Sequence, residues 1–452
     1  MSAVVETSLN ASPSTPIAQG DGTRAIAFDG GGGIALASFL GQVRGLAAAL
    51  PEGRHAVNLC EDRYRFLVAF CAVALRGQAN LLPPSRAPAE VADMLARHAD
   101  SYCLGDRELD APPPRYWRLP DALPNVAGPM PALADAALVA IGFTSGSTGR
   151  PQPNPKTWGS FCASTAQNLA ALGDLWGAEM PQLVATVPPQ HMYGLELSVL
   201  LPLQGAAAVH AARPFFPEDI ARALHEAQAP RVLVTTPVHL RALVEAGVAL
   251  PPLAGIVSAT APLAPELAAA AEARFGCEVR ELFGSTETCV IARRRTAREV
   301  AWTPLPGVRL VPQPDGTAVH APHLPVPVSL ADLVEVEADG RFHLRGRNAD
   351  LLEIAGKRAS LGDLTRKLLA IPGVEDGVVF QCDQAGGDGV RRIAALAVAP
   401  ALDEAAILAA LRCAIDPVFL PRPLKRVAAL PRNDTGKLPR QALAALLQGS
   451  DP

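Results

Sequence analysis

From about residue 24 the chain keeps one rhythm, and that rhythm limits what it can fold into. Short apolar runs end in small or polar residues, and Ala/Leu-rich stretches with helical spacing separate them. AIAFDG reads as strand then turn, IALASFLGQVRGLAAAL as helix, HAVNLC as strand, and YRFLVAFCAVALRG and PAEVADMLARHA as two further helices. After a Pro-rich connector over residues 111–132 the rhythm resumes with QLVATVP, AAAVHAA, RVLVTTP and GIVSATA. Strands separated by helices build a parallel sheet with crossovers, so the expected fold class is α/β. Open sheets of that kind hold ligands at the carboxyl ends of their strands. The character changes at residues 300–345, where VRLVPQPDG, TAVHAP, DLVEVEADG and RFHLRG read as short β segments with turns. Residues 350–452 read as a small α+β unit of two helical stretches and two or three strands.

Bulk properties exclude several functions. The net charge of −4 argues against a nucleic-acid partner held by an overall basic surface. No apolar run is long enough for a membrane span. The opening MSAVVETSLNASPSTP has neither a basic nor an apolar signal region and is expected to be a disordered polar leader over 1–23. The eight cysteines are scattered, with no CxxC pair and no clustering with His. They are expected to be buried, reduced thiols of a cytoplasmic protein, and a zinc site has no support. The glycine run Gly30–Gly33 misses the GxGxxG spacing and reads as a flexible turn.

The stretch FTSGSTGR at 143–150 sets four hydroxyls, at Thr144, Ser145, Ser147 and Thr148, among Gly146 and Gly149. Glycines let a backbone approach an anion closely, turned N–H groups form an anion nest, and hydroxyls add donors without charge. This is phosphate-cradling chemistry. It is neither the GxxxxGK[ST] P-loop nor a GxSxG nucleophile elbow. Downstream, LFGSTETC places Glu287 beside Thr286 on a Gly-containing loop, and a hard cation such as Mg²⁺ takes one or two carboxylates plus phosphate oxygens. Lysine occurs five times against 35 arginines, so Lys156, Lys357, Lys367, Lys425 and Lys437 stand out.

Together with GRNAD at 346–350 and NDTGKLPR at 433–440, these motifs resemble the adenylate-forming superfamily of acyl-CoA synthetases, aryl-acid ligases, luciferases and peptide-synthetase adenylation domains. The resemblance runs from about residue 24 to the end. It implies a large N-terminal AMP-binding domain over 24–346, made of stacked βα sheets plus a small β subdomain. A small mobile α+β domain over 347–452 would follow. It also implies that an acid's carboxylate attacks ATP, giving acyl-AMP and pyrophosphate, and that a thiol then displaces AMP. By that resemblance Thr144, Ser145, Gly146, Ser147, Thr148 and Gly149 would wrap the ATP phosphates. PPQHMYG would put His191 at the floor of the acid pocket with Met192, Tyr193 and Gly194. SATAPL would set Thr260 and Ala261 beside adenine. In FGSTE, Phe283 would stack on adenine next to Gly284 and Ser285, Thr286 would touch the α-phosphate, and Glu287 would hold Mg²⁺. Asp332 and Arg347 would serve the ribose, Lys437 would bridge carboxylate and α-phosphate, and Gly356 would line the thiol tunnel.

Two positions depart from the family. Where TGxPKG carries Lys, this chain has Gln152 in TGRPQPNPK, so Lys156 is expected to reach back to the phosphates, with Pro151, Pro153 and Pro155 stiffening the loop. The hinge Asp or Lys is Ala349. The PQPNP variant and compact length resemble the stand-alone ligases of aryl-polyene and xanthomonadin-type pigment clusters. That resemblance implies an aromatic acid such as a hydroxybenzoate and an acyl carrier protein or CoA thiol as acceptor. The alternatives are a medium-chain acyl-CoA or acyl-carrier synthetase and a non-catalytic sensor of nucleotide or acyl-adenylate.

Overall fold

The computed structural model describes residues 13–83, 86–145, 151–314, 316–347, 351–354, 357–385, 391–433 and 438–449. By packing the chain divides into two units, residues 1–308 with 321–326, and residues 309–320 with 327–452. The short β segments after residue 308, read from the sequence as part of the larger domain, pack with the second unit.

The first unit contains two large sheets. One has nine strands in the order Thr303–Pro304, Cys289–Arg294, Val279–Ser285, Gly255–Ser258, Arg231–Thr235, Gln182–Ala185, Ala208–His210, Ala25–Asp29, Gly32–Ala35. The six from Val279–Ser285 to Ala25–Asp29 are parallel, as the apolar runs require. The other has six strands in the order Pro151–Thr157, Leu138–Ser145, Ala79–Leu82, His55–Asn58, Ser101–Gly105, Tyr116–Arg118. It is parallel except for its first strand, which folds back antiparallel on the second.

Helices Leu36–Ala49, Arg63–Leu75 and Trp158–Leu172 share one hydrophobic core with strands of both sheets. The Arg63–Leu75 helix is buried on nearly every side, the mark of an element enclosed between layers. Even Arg63 is fully buried. Its guanidinium donates to the Ala185 and Val187 carbonyls at 2.8 and 2.9 Å and to the Ser198 hydroxyl, and burial brings its pKa down to about 9.

The disordered leader must be corrected from residue 14 onward. Ser14–Pro16 pairs antiparallel with Ala132–Ala134, Ile17 and Ala18 are buried, and the Thr15 carbonyl accepts from the Trp158 indole at 3.1 Å. Two apolar side chains behind a short polar run suffice to fix that segment.

Phe143, Thr144 and Ser145 are not loop either: they end the Leu138–Ser145 strand. The three prolines lie on its partner, Pro151–Thr157, rather than in the loop. That partner is an edge strand. Residues two apart send their N–H groups to the same side, so alternate prolines put every missing donor on the outer side, where the ladder needs none. In the glycine run, Asp29–Gly32 closes a hairpin and Gly32 and Gly33 begin its return strand.

The second unit holds a three-stranded sheet of Arg309–Gln313, Gly316–His320 and Val328–Leu330, and hairpins Asp332–Val336/Phe342–Arg347 and Leu351–Ile354/Lys357–Ser360. A further sheet of Asp376–Ala385, Arg391–Val398 and Leu424–Arg426 accompanies helices Leu361–Leu369, Glu404–Ala414 and Arg440–Gln448. Residues 350–452 thus carry more elements than the two helical stretches and two or three strands expected: three α-helices and five strands among the described residues. Leu364, Leu368, Ile407 and Leu411 form the centre of this unit's core.

Candidate functional site

Four adjacent parallel strands deliver candidate residues from their carboxyl ends. Gln182–Ala185 leads to His191, Arg231–Thr235 to Thr236 and His239, Gly255–Ser258 to Thr260 and Ala261, and Val279–Ser285 to Thr286 and Glu287. The second sheet contributes the end of Leu138–Ser145, which runs into residues 146–149. The two sheets meet at Gly142. A Cβ there would lie 2.6 Å from the Thr286 methyl and 3.3 Å from the Met192 methyl. Glycine at 142 therefore lets the carboxylate loop and the acid-pocket candidate pack directly on the strand that enters the hydroxyl-rich segment. Gly194 has a similar cause, since its Cβ would fall 2.0 Å from the Pro188 carbonyl.

The loop from Ser285 to Val290 is closed on itself and held from below. The Ser285 and Thr288 hydroxyls lie 3.1 Å apart, and each accepts from the other residue's amide at 3.2 Å. Cys289 takes a left-handed φ of +57°, and burial, with the charge of Glu196, pushes its thiol up to about 12. Its Sγ lies 3.9 Å from the Met192 sulfur. Glu287 is half-buried, and its carboxylate makes no ion pair among the described residues.

Lys156 departs from expectation. It sits on the Pro151–Thr157 strand opposite Ala140, is 5% exposed, and donates from Nζ to the Glu287 backbone carbonyl at 2.7 Å. The strand carries its backbone about 16 Å from Pro151, at about 3.3 Å per residue, and its amino group is taken up by the Glu287 carbonyl. Two further buried ionisable groups, Glu196 and His323, went unnoticed in the sequence. Glu196 accepts from Ser164 Oγ at 2.6 Å, Asn168 Nδ2 at 3.1 Å and the Val290 amide at 3.2 and 3.1 Å. Burial raises its pKa, and those hydrogen bonds and the Lys156 charge oppose the rise. His323 places Nε2 2.6 Å from the Thr288 carbonyl and Nδ1 against Gln167, whose amide donates to the Pro306 carbonyl at 2.6 Å; burial lowers the His323 pKa. The one available signal was polar Ser164, Gln167 and Asn168 at i, i+3, i+4 spacing in an otherwise Ala/Leu-rich helix.

The remaining candidates fall as follows. Tyr193 is buried and donates to the Val257 carbonyl at 2.9 Å; burial puts its hydroxyl pKa well above the usual value. Met192 and Gly194 are buried beside it, and His191 is half-buried. Thr260 takes φ +79°, and Ala261 next to it is half-buried. Phe283 is half-buried, its ring centroid 5.5 Å from that of Trp302, and Arg294 lies over the Trp302 ring at 4.3 Å. Gly284 is exposed and Ser285 half-buried. In the second unit Asp332 and Arg347 are direct cross-strand partners. Thr144 pairs with Gln152 and Ser145 with Pro151. Gly146, Ser147, Thr148, Gly149, Ala349, Gly356 and Lys437 lie outside the described residues.

Among the described residues no three His, Cys, Asp or Glu side chains gather as a metal site, and no helix is long and apolar enough to cross a membrane. A lone carboxylate on a pinned loop suits Mg²⁺, which keeps waters and draws its other ligands from phosphate.

A family model described as AMP-binding enzyme matches residues 23–321. A 4-coumarate–CoA ligase from Rhodobacter capsulatus is 32% identical over 302 residues, 66% of this chain and 74% of that protein. ATP-bound MatB from Rhodopseudomonas palustris is 19% identical with a TM-score of 0.80, covering 95% of this chain and 96% of that one. The o-succinylbenzoate CoA synthetase from Bacillus subtilis, in complex with its acyl-adenylate intermediate, is 18% identical with a TM-score of 0.77, covering 91% and 93%. The two structures share this chain's fold.

Proposed function

The chain belongs to the AMP-binding enzyme family and is an AMP-forming acid–thiol ligase, and from that premise we propose that it activates an aromatic, hydroxybenzoate-like acid and passes it to a phosphopantetheine thiol, of an acyl carrier protein or of CoA. In the first step a carboxylate oxygen attacks the α-phosphorus of ATP and pyrophosphate leaves. In the second a thiol sulfur attacks the acyl carbon and AMP leaves. Both reactants of the first step are anions, so the protein's work is positioning and charge neutralisation.

The packing of Thr286 and Met192 on Gly142 carries this reading. It joins the strand entering the hydroxyl-rich segment, the Thr286–Glu287 loop and the His191–Gly194 turn at one place. In this assignment residues 144–149 take the β- and γ-phosphates and Thr286 the α-phosphate. Glu287 would hold Mg²⁺, which when bound neutralises phosphate charge. Thr260, Ala261, Phe283, Gly284 and Ser285 border the adenine, and His191, Met192, Tyr193 and Gly194 the acid. Asp332 and Arg347 serve the ribose. Lys437 bridges carboxylate and phosphate as a compact charge that a planar guanidinium would mimic poorly. Gly356 lines the thiol path, and the 347–452 segment turns about Ala349. The aromatic choice is supported by the relative named for 4-coumarate.

Acid-dependent ATP–pyrophosphate exchange across hydroxybenzoates, cinnamates and fatty acids tests the proposal. Exchange with hydroxybenzoates, followed by transfer to holo-carrier protein or CoA, is expected. Exchange confined to fatty acids overturns the aromatic assignment, and ATP binding without exchange for any acid overturns catalysis.

A further inference from the structure

Three buried ionisable side chains clamp the backbone of the loop that carries Glu287. Lys156 Nζ holds the Glu287 carbonyl at 2.7 Å, His323 Nε2 lies 2.6 Å from the Thr288 carbonyl, and both Glu196 oxygens accept from the Val290 amide. They come from three places in the chain: the Pro151–Thr157 strand, the 321–326 segment, and the π-helical turn Glu196–Leu200. Exposures are 5%, 3% and 1%. One helix face steadies two of them, through Ser164 and Asn168 to Glu196 and through Gln167 to His323.

Burying charge is costly unless it is paired and hydrogen-bonded, and an apolar floor would hold the fold without it. What directed hydrogen bonds supply, and apolar packing does not, is the orientation of peptide planes. The planes fixed here are the three that follow the Glu287 α-carbon, between residues 287 and 288, 288 and 289, and 289 and 290, and the first of them sets the direction in which the Glu287 side chain leaves the loop. Resting on the function proposed above, we propose that Lys156, Glu196 and His323 are positioning residues for Glu287, and that Lys156 acts on nucleotide through this carboxylate and not by touching phosphate. Outer contacts that orient a metal-binding side chain are worth about 10–100-fold in metal affinity or activity.

The test measures ATP affinity with Mg²⁺ and with EDTA, together with kcat for exchange, in Lys156→Met, Glu287→Gln and the double variant. Lys156→Met is expected to lose about tenfold or more of the Mg²⁺-dependent gain in ATP affinity and of kcat. Its metal-free ATP affinity should stay within about twofold of wild type, and the substitution should add little in the Glu287→Gln background, as coupled residues do. His323→Leu should copy Lys156→Met, while His323→Gln, which keeps a donor, should stay near wild type. The His323 pair decides the matter if Lys156→Met does not fold. An equal loss of metal-free ATP affinity would make Lys156 a direct phosphate ligand and overturn the proposal. So would full additivity with Glu287→Gln, or a wild-type protein that binds ATP no better with Mg²⁺. Failure of exchange with every acid, while the binding pattern holds, would overturn the function and leave the positioning role standing.

Discussion

Thr260, a β-branched residue, holds a left-handed backbone, φ +79°. A β-branched residue there is strained, at about 1–3 kcal/mol, and glycine gives back part of the gain through its own chain entropy. Thr260→Gly is expected to raise the unfolding free energy by about 1 kcal/mol in denaturant titration; equal or lower stability would mean that the Thr260 side chain supports the conformation. Gly142 makes the opposite case. Alanine there must displace the Thr286 methyl or bend the strand, so Gly142→Ala should cut exchange activity by about 10–100-fold, the effect of a small misplacement at a reacting centre. An unchanged rate would show that Thr286 can shift without consequence. Thr260 could be singled out in the sequence because a motif surrounds it. The contact of Lys156 could not be read there: the scarcity of lysine marked it, but its partner lies 131 residues away, and no local pattern records that distance.

At the level of elements, the parallel strands could be read directly, because apolar runs bounded by small residues have few other homes. The Pro151–Thr157 strand could not. PQPNPKT has no apolar alternation, and it is a strand only because Leu138–Ser145 offers it a ladder. The Trp158–Leu172 helix was harder to interpret than to locate. Its buried Ser164, Thr165, Gln167 and Asn168 look, from composition, like a solvated face. Ser164→Ala removes a donor to a buried carboxylate and should cost about 2 kcal/mol in urea unfolding. Ser160→Ala on the same helix removes only a half-buried bond to the Thr157 carbonyl and should cost about 0.5 kcal/mol. Similar losses in both would show that Glu196 does not depend on the helix.

For the whole molecule, the cysteine expectation held in part. Cys60, Cys71, Cys103 and Cys289 are buried, whereas Cys413 is exposed on the Glu404–Ala414 helix. Burial pushes the Cys103 and Cys277 thiols up to about 12, leaving about one thiolate in ten thousand at pH 8. Titration with a thiol-specific disulfide should therefore label Cys413 first, mapped by peptide mass, and the buried four only after unfolding. Rapid native labelling of Cys103 would contradict the packing. The leader failed as a reading because a polar opening hides two core residues, Ile17 and Ala18, that long-range pairing secures.

The alternate prolines of Pro151–Thr157 have a consequence at this scale. A border that can accept hydrogen bonds but not donate them cannot be copied by a strand from another molecule. One end of the six-stranded sheet is thereby barred from templated growth. An association that extends this sheet strand by strand has to start from its other end.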